Sequence, residues 1–275
     1  MSWFDAGVNL LDRRFERETV LTDSIQAGLR HLLIIASDIE ESLAASDYIQ
    51  AHKKTELASK IHLSQTAGVH PHYAKSMHCE NAMQEAINQI EMLLAHSSIA
   101  AIGECGLDFN RNFSTPDDQI RAFDAQLQVA RAHDKGVYLH ERDAFDQQVK
   151  MLKPLAPHLP FMVAHCFTGN ERQLNTYLDL GCYIGITGWV CDDKRGLALR
   201  GAIQSLPLNR LLIETDAPYL FPKNVRPRAK NNAPKYLMAI AEAIAKIKDV
   251  SLEEVQQASY LNACNLFIET CEAAT

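Results

Sequence analysis

The sequence predicts a (β/α)8 barrel, a fold in which eight parallel strands alternate with helices over about 250 residues. Short apolar runs recur eight times along the 275 residues, with longer amphipathic segments between them. Gly, Asp or Pro often closes these runs, which is typical of fully buried parallel strands. An open doubly wound sheet is the structural alternative, but residues 5–9 read DAGVN where that fold carries a G-x-G-x-x-G turn.

The eight predicted strands follow one another at regular intervals. They cover residues 3–9, 31–37, 63–70, 100–108, 136–141, 161–167, 182–188 and 210–216. Residues 39–54, 83–96, 171–180 and 237–246 have the apolar spacing of helices, and residues 115–133 open with Thr115-Pro116, an N-cap followed by a helix-starting proline. No repeat or linker interrupts this pattern, so we expect a single domain over residues 1–275, with 251–267 as a C-terminal helical extension.

Composition narrows the class of protein. Hydrophobic residues make up 47% and charged residues 22% of the chain, which excludes a disordered protein. The chain has 27 Lys and Arg against 34 Asp and Glu, a net charge of −7. This acidic balance argues against a broad basic surface for duplex DNA, but a local basic loop or a bound cation can still hold phosphate.

The expected location is the cytoplasm. Arg13, Arg14 and Glu16 stand where a signal peptide needs an apolar run. The longest apolar stretches, 32–36 and 161–164, are far shorter than the ~20 residues of a membrane span. The seven cysteines contain no C-x-x-C pair, which fits reduced thiols.

Four polar residues stand at or near the ends of predicted strands. Glu104 lies late in the fourth strand, His140 ends the fifth, His165 belongs to the sixth, and Asp216 ends the eighth. In this fold the carboxyl ends of the strands converge on one mouth, where active sites are built. Two imidazoles and two carboxylates that meet there are a ligand set for a divalent cation.

A structural role must be weighed against this metal site. A lone histidine at a strand end more often packs in the core than binds a ligand, but four such residues at equivalent strand ends favour a common site, because buried acids are costly without a partner. Cys105 and Cys166 adjoin Glu104 and His165, so strand alternation predicts that they point away and pack.

Three further features are candidates for substrate binding. His70 and His72 follow the third strand, and Arg142 follows His140; their alternatives are a turn with incidental histidines and a salt-bridged loop. The third is the segment 223–232 after the eighth strand, where barrel enzymes often bind phosphate; it includes Arg226 and Arg228, and its alternative is a solvated face.

These residues lie in sequence blocks that resemble the TatD family of metal-dependent deoxyribonucleases. The blocks are AGVHPH at 67–72, AIGECGLD at 101–108, AHCFTG at 164–169, LIETDAPYL at 212–220 and NACNLF at 262–267. Segments 5–9 and 185–191 resemble the bacterial branch that gives the family its name.

The resemblance implies a barrel of the amidohydrolase type and a cytoplasmic nuclease. For this branch it implies 3′→5′ exonuclease action on single-stranded DNA and RNA, with a proposed link to the repair of oxidative DNA damage. It also implies that Glu104, His140, His165 and Asp216 are the metal ligands.

The chain departs from the family at its first strand. Most members carry H-x-H after an Asp, whereas this chain retains Asp5 and has Gly7 and Asn9 at the histidine positions. We therefore expect one firm metal site and a weak second one, formed by Asp216, Glu104 and the Asn9 amide oxygen. Such oxygen ligands favour Mg²⁺, or Mn²⁺, over tightly held Zn²⁺.

The resulting hypothesis is phosphodiester hydrolysis by a cation-activated water, with Asp216 and Glu104 as catalytic residues. Asn9, His70, His72, Arg142 and the 223–232 loop would contact phosphates, and Trp189 and Tyr219 could stack a base. We expect a monomer whose partners are single-stranded DNA and RNA. A small-ester hydrolase and a non-catalytic interaction protein are the alternatives.

Overall fold

In the computed structural model, which describes residues 2–268, eight parallel strands form a barrel. The strands are β1 Trp3–Val8, β2 Leu29–Ile34, β3 His62–Ala67, β4 Ile99–Asp108, β5 Gly136–Arg142, β6 Met162–Ala164, β7 Tyr183–Ile186 and β8 Leu211–Ile213. They neighbour one another in chain order. The barrel closes where Val8 forms a parallel bridge with Ala217 and the Asp216 N–H donates to the Gly7 carbonyl (2.9 Å). The predicted (β/α)8 barrel is confirmed.

Helices connect the strands on the outside. They are α1 Arg17–Gln26, α2 Ile39–His52, α3 Glu80–Leu93, α4 Pro116–Ala132, α5 Phe145–Leu152, α6 Glu171–Asp179, α7 Leu197–Ser205, α8 Leu237–Lys248 and α9 Leu252–Phe267. Each helix named from the sequence is present. Helices α1, α5 and α7 were not predicted from the sequence; in α1 the buried face includes a serine, Ser24, whose hydroxyl donates to the Val20 carbonyl (2.6 Å).

Side-chain caps begin the two helices that carry the clearest sequence signals. The Thr115 hydroxyl accepts the Asp118 N–H (3.2 Å), and Pro116 is the first residue of α4, as predicted. The Ser251 hydroxyl accepts the Glu254 N–H (3.1 Å), while the Glu254 carboxylate accepts the Ser251 N–H (2.9 Å). This capping box satisfies amide groups that the first turn of α9 would leave unpaired.

Helix α9 packs over the amino-terminal end of the barrel. The strand side chains that face the interior form one apolar cluster with Ala263 and Phe267 of α9. The Phe267 ring lies 5.9 Å from that of Phe4, centroid to centroid, and the Asn262 amide donates to the carbonyls of Leu208 (2.8 Å) and Leu211 (2.9 Å). The opposite, carboxyl end of the barrel is therefore the end at which a site can form.

The predicted domain spans residues 1–275, of which residues 1 and 269–275 lie outside the described part of the chain. Within residues 2–268, no helix is both long enough and apolar enough to cross a membrane.

Candidate active site

One cavity of about 340 Å³ opens at the carboxyl end of the barrel. Its lining includes the four predicted metal ligands and four of the six residues predicted to contact substrate: Glu104, His140, His165, Asp216, Asn9, His70, His72 and Arg142. Glu104 and His165 are each only 6% exposed. The structure thus brings together residues from six separate segments of the sequence.

A bulge in β4 positions Glu104. The pairing of β4 with β5 shifts by one residue between Gly103 and Cys105, so Glu104 lies at the irregularity. Beyond it Gly106 pairs with His140, and a Cβ at Gly106 would lie 2.0 Å from the His140 carbonyl oxygen. Bulges of this kind re-aim side chains beside active sites, and here the glycine allows the two strands to approach so closely.

Three imidazole nitrogens face one carboxylate oxygen of Glu104, which makes four potential ligand atoms. Its Oε1 lies 2.8 Å from His140 Nδ1, 3.5 Å from His70 Nε2 and 3.7 Å from His165 Nε2. His70 Nε2 is also 3.2 Å from His140 Nδ1. Imidazole nitrogens grouped around a carboxylate oxygen are a donor set that transition metals prefer in hydrolase centres.

Two carboxylates hold the outer nitrogens of these imidazoles. Asp108 Oδ2 contacts His140 Nε2 (3.3 Å) and His72 Nε2 (2.8 Å). Glu214 Oε2 lies 2.7 Å from His165 Nδ1. A carboxylate at one ring nitrogen orients the other toward a metal. His140 Nδ1 and His165 Nε2 are thereby left to face Glu104.

Sequence analysis missed Asp108 and Glu214 as site residues, although both lie in the quoted blocks. A signal was available for Asp108, which is four residues after Glu104 on the same strand, because residues at even spacing on a strand share a face. Alternation gives no such signal for Glu214, because β8 ends at Ile213. The sequence did not single out either acid, because acidic residues near predicted strand ends often belong to the following loop and have no role in a site.

The electrostatics of the cluster fit a bound cation. Burial alone would raise the pKa of Glu104, but His70, His165 and the hydrogen bond from His140 hold it well below its usual value. Burial opposes protonation of the imidazoles too, yet Asp108 and Glu104 raise the pKa of His140 to about 8, and Glu214 and Glu104 raise that of His165 to about 10. These carboxylates stabilise positive charge that a divalent cation can supply instead.

Asp216 lies beside this cluster in a different setting. Burial raises its pKa to about 7, and Glu104 and Glu214 act in the same direction against His165. Its backbone has a φ of 50°, the left-handed region that Asp tolerates better than most residues. A half-buried carboxylate with a pKa near neutrality is suited to accept and release a proton.

Asn9 contacts Asp216 through its amide nitrogen. Asn9 Nδ2 donates to Asp216 Oδ1 (3.0 Å) and to the Ala217 carbonyl (3.4 Å). The NH2 group serves both oxygen acceptors, and the amide oxygen takes part in neither bond, so its role as a ligand beside Asp216 stays a prediction.

Protein atoms occupy the space beside Gly7, where most of the family carries the first histidine of H-x-H. A Cβ at Gly7 would lie 2.3 Å from the Tyr138 hydroxyl and 2.8 Å from Glu214 Oε2. The Tyr138 hydroxyl is itself 2.5 Å from Glu214 Oε2. Asp5, which the chain retains, instead joins β1 to the end of β8 by accepting from the N–H (2.8 Å) and hydroxyl (2.5 Å) of Thr215.

The two cysteines beside the predicted ligands differ from each other. Cys105 is fully buried in the apolar core, as expected. Cys166 instead lines the cavity, so the expectation that it points away is wrong: β6 ends at Ala164, and Cys166 lies in a turn with a φ of 45° where strand alternation no longer applies. Burial raises the pKa of its thiol well above the usual value. Its Sγ lies within 4.8 Å of potential ligand atoms of His165 and Asp216.

Arg142 lies between the cavity and a neighbouring groove of about 720 Å³. Its Nη1 donates to the Thr168 hydroxyl (3.2 Å), and its guanidinium lies 5.5 Å from the Trp189 ring centroid. Within residues 2–268, no carboxylate oxygen lies within 4.0 Å of the Arg142 guanidinium nitrogens. The guanidinium is therefore available to an anion.

The loop 223–232 lies apart from the cavity around Glu104. Neither Arg226 nor Arg228 lines the cavity around Glu104. Arg226 Nη1 donates to the carbonyls of Lys223 (2.7 Å) and Val225 (2.8 Å), within its own loop. Their contact with substrate stays a prediction, and it would have to involve phosphates away from the cleaved bond.

Comparison with known proteins places this geometry in a family. A sequence profile of the TatD related DNases matches residues 4–268. The chain belongs to this family. A relative in Pectobacterium carotovorum subsp. carotovorum, named 3′-5′ ssDNA/RNA exonuclease TatD, is 43% identical over 96% of this chain and 98% of its own. The Salmonella typhimurium protein of the same name is 41% identical with the same coverage.

A solved structure of a family member also superposes on this chain. The TatD family hydrolase of Entamoeba histolytica superposes with a TM-score of 0.85 at 25% identity, covering 96% of this chain and 97% of that one. The resemblance to the family, and to its bacterial branch, is confirmed.

Proposed function

We propose that this protein is a metal-dependent 3′-5′ exonuclease that hydrolyses phosphodiester bonds in single-stranded DNA and RNA. The observation that carries the proposal is the convergence of Glu104, His140 and His165 on one point of the barrel mouth, with a carboxylate behind each imidazole. Membership of the TatD related DNases, and relatives named as 3′-5′ exonucleases, support the reaction and the substrate.

Glu104, His140 and His165 would hold a divalent cation, with Asp216 beside them; we propose Mg²⁺, with Mn²⁺ or Zn²⁺ as alternatives. A bound divalent cation would act as a Lewis acid on a phosphoryl oxygen and make water a stronger nucleophile at neutral pH. Asp108 and Glu214 position the imidazoles through their outer nitrogens.

Asp216 accepts the proton of the attacking water, since its pKa of about 7 leaves a substantial fraction ionised near neutral pH. The Asn9 amide holds the Asp216 carboxylate in place through the 3.0 Å hydrogen bond. Arg142, His70 and His72 line the same cavity and would contact the non-bridging oxygens of the cleaved phosphate.

Arg226 and Arg228 would neutralise phosphates farther along the strand. We further propose that the protein acts as a monomer in the cytoplasm, that residues 1–275 form one domain, and that its role is the repair of oxidative DNA damage.

The test is to strip the metal and restore Mg²⁺, Mn²⁺ or Zn²⁺ separately, with each sample assayed on single strands and hairpins labelled at the 5′ end. Shortening of the single strand one nucleotide at a time from the 3′ end, only after a cation is restored, is the expected result. Activity without metal, or hydrolysis confined to small esters in a parallel panel, would refute the proposal.

A further inference from the structure

Exposed aromatic rings surround the mouth of the barrel. In the described part of the chain, three aromatic side chains are largely exposed to solvent: Tyr73 (45% exposed), Phe113 (57%) and Tyr219 (49%). They belong to the connections that follow β3, β4 and β8, all at the carboxyl end of the barrel. The other exposed apolar side chains in these residues are aliphatic. We call Tyr73, Phe113 and Tyr219 the aromatic rim.

The rim adjoins the candidate active site directly. Tyr73 and Tyr219 line the same cavity as Glu104 and Asp216. The Phe113 ring packs edge-on against His72, another cavity residue, at a centroid distance of 4.8 Å. Three separate loops thus place a large ring beside the site, although exposing apolar surface to water is unfavourable. This arrangement points to a ligand with flat, apolar faces.

A fixed cation accompanies the rim. The Arg14 guanidinium lies 4.4 Å from the Tyr219 ring centroid. Asp12 holds Arg14 through two side-chain hydrogen bonds, from Nε to Oδ1 (2.8 Å) and from Nη2 to Oδ2 (2.7 Å). Tyr219 is therefore braced by a neighbour and still half exposed. Aromatic rings next to basic groups are the surface with which proteins hold unpaired nucleobases and their phosphates.

We propose that Tyr73, Phe113 and Tyr219 form a nucleobase-binding rim that stacks unpaired bases at the 3′ end of the strand, with Arg14 bracing Tyr219. This inference rests on the proposed exonuclease function and adds the source of its selectivity. Bases in a duplex are stacked and paired with each other, so the rim binds them only after the end has opened. A preference for single strands follows.

The test compares Tyr73→Leu, Phe113→Leu and Tyr219→Leu with a matched control, Tyr183→Leu. Tyr183 also has an arginine against its ring, Arg210 at 4.7 Å, but it begins β7 at the far end of the barrel. The probes are two fluorescent single strands whose last three linkages are phosphorothioates, one with normal bases and one abasic at its last three positions. Dissociation constants are read by anisotropy with the metal-loaded enzyme.

Wild type should bind the normal strand more tightly than the abasic one. Tyr219→Leu should weaken binding of the normal strand by about fivefold to a hundredfold, the range for loss of one stacked base. Its binding of the abasic strand, its metal content and its circular dichroism spectrum should be unchanged. Tyr183→Leu should behave as wild type in all four measurements.

Equal weakening on both strands in the rim variants, or no change on either, would overturn the nucleobase-binding rim. Failure of the proposed function has a different signature, because wild type would then shorten no unmodified strand, whereas the anisotropy comparison would still report whether the rim binds bases.

Discussion

Glu104 has the most central position of any single residue in the site. Its Oε1 faces nitrogens of three histidines, two of which, His140 and His165, are oriented by carboxylates behind them. Asp216 differs from these ligands, because it is half-buried beside the cluster and its pKa is raised to about 7. Ligand and proton-transfer roles should therefore separate on mutation.

Replacing Glu104, His140 or His165 with alanine should remove the metal and abolish hydrolysis while the barrel stays folded. Asp216→Asn should retain metal and lower kcat by about 10²- to 10⁴-fold, the usual contribution of a general base. Metal analysis, circular dichroism and hydrolysis of a labelled strand measure these outcomes. His158→Ala, at an exposed histidine outside the cavity, is the control. Retained turnover in His140→Ala or His165→Ala would disprove the ligand assignment.

Gly7 explains why the missing histidine pair cannot simply be restored. A side chain there would enter the space of the Tyr138 hydroxyl, 2.3 Å from the new Cβ. We expect Gly7→His to destabilise the fold by about 1–3 kcal/mol or more, as overpacking does, and to add no second metal ion. Thermal unfolding and metal stoichiometry measure both effects.

Gly201→His is the control for Gly7→His, because Gly201 is exposed and a Cβ there would meet no atom within 4 Å. A Gly7→His protein as stable as wild type and holding one more metal ion would show that Tyr138 and Glu214 do not block the position.

At the scale of elements, β4 supplies residues to the active-site cavity, whereas the loop 223–232 does not. Glu104 and Asp108 both belong to β4 and both line the cavity, so one element supplies a proposed ligand and its support. Helix α4 secures the end of that strand, since the Gln119 amide donates to the Asp108 carbonyl (3.0 Å) and accepts the Asp108 N–H (2.8 Å). The loop 223–232 instead satisfies part of its own charge, through Arg226 and through the Lys223–Asp192 ion pair (2.8 Å).

Changing Arg226 and Arg228 together to alanine should weaken binding of a single strand and flatten its salt dependence by about 0.7 in slope for each lost phosphate contact. Hydrolysis of bis(4-nitrophenyl) phosphate should be unchanged, because neither arginine lines the cavity. The measurement is the dissociation constant at several salt concentrations.

The matched control for the arginine pair is Lys54→Ala with Lys60→Ala, two exposed cations in the connection before β3. An unchanged salt slope in the arginine variant would mean that the loop is a solvated surface. A parallel loss of small-diester hydrolysis would mean that the loop supports the site structurally.

At the scale of the whole molecule, the two ends of the barrel carry different titratable groups. The amino-terminal end contains His31, whose ring stacks between Phe4 (5.2 Å) and His62 (5.1 Å). Burial lowers the pKa of His31 to about 4, and the neighbouring His62 adds to this. The imidazole is neutral in the folded protein at a pH where the unfolded chain would bind a proton.

Stability should therefore fall as pH drops from about 6.5, the unfolded value, toward 4. His31→Phe keeps a ring in the stack and removes this proton uptake, so the variant should lose less stability than wild type over that range. Urea midpoints at pH 7 and pH 4.5 measure the difference, with His158→Phe as the control. Equal losses in wild type and His31→Phe would contradict the assignment.

The sequence by itself determined the eight strands, the helical extension and the cluster of Glu104, His140, His165 and Asp216. These are local patterns: an apolar run closed by a polar residue is visible within ten positions, and barrel topology then brings equivalent strand ends together. The same reasoning brought Arg142, His70 and His72 to the mouth.

Only the tertiary structure decided which atoms touch across the barrel. Glu214 supports His165 from 49 residues away, Asp108 supports His140 from 32, and the Tyr138 hydroxyl lies beside Gly7 from the far side of the interior. Alternation could not place Cys166, because its strand ends two residues earlier. Contacts of this kind depend on strand register and on where each strand stops, and distances between side chains on different strands follow from packing, which no single segment of sequence encodes.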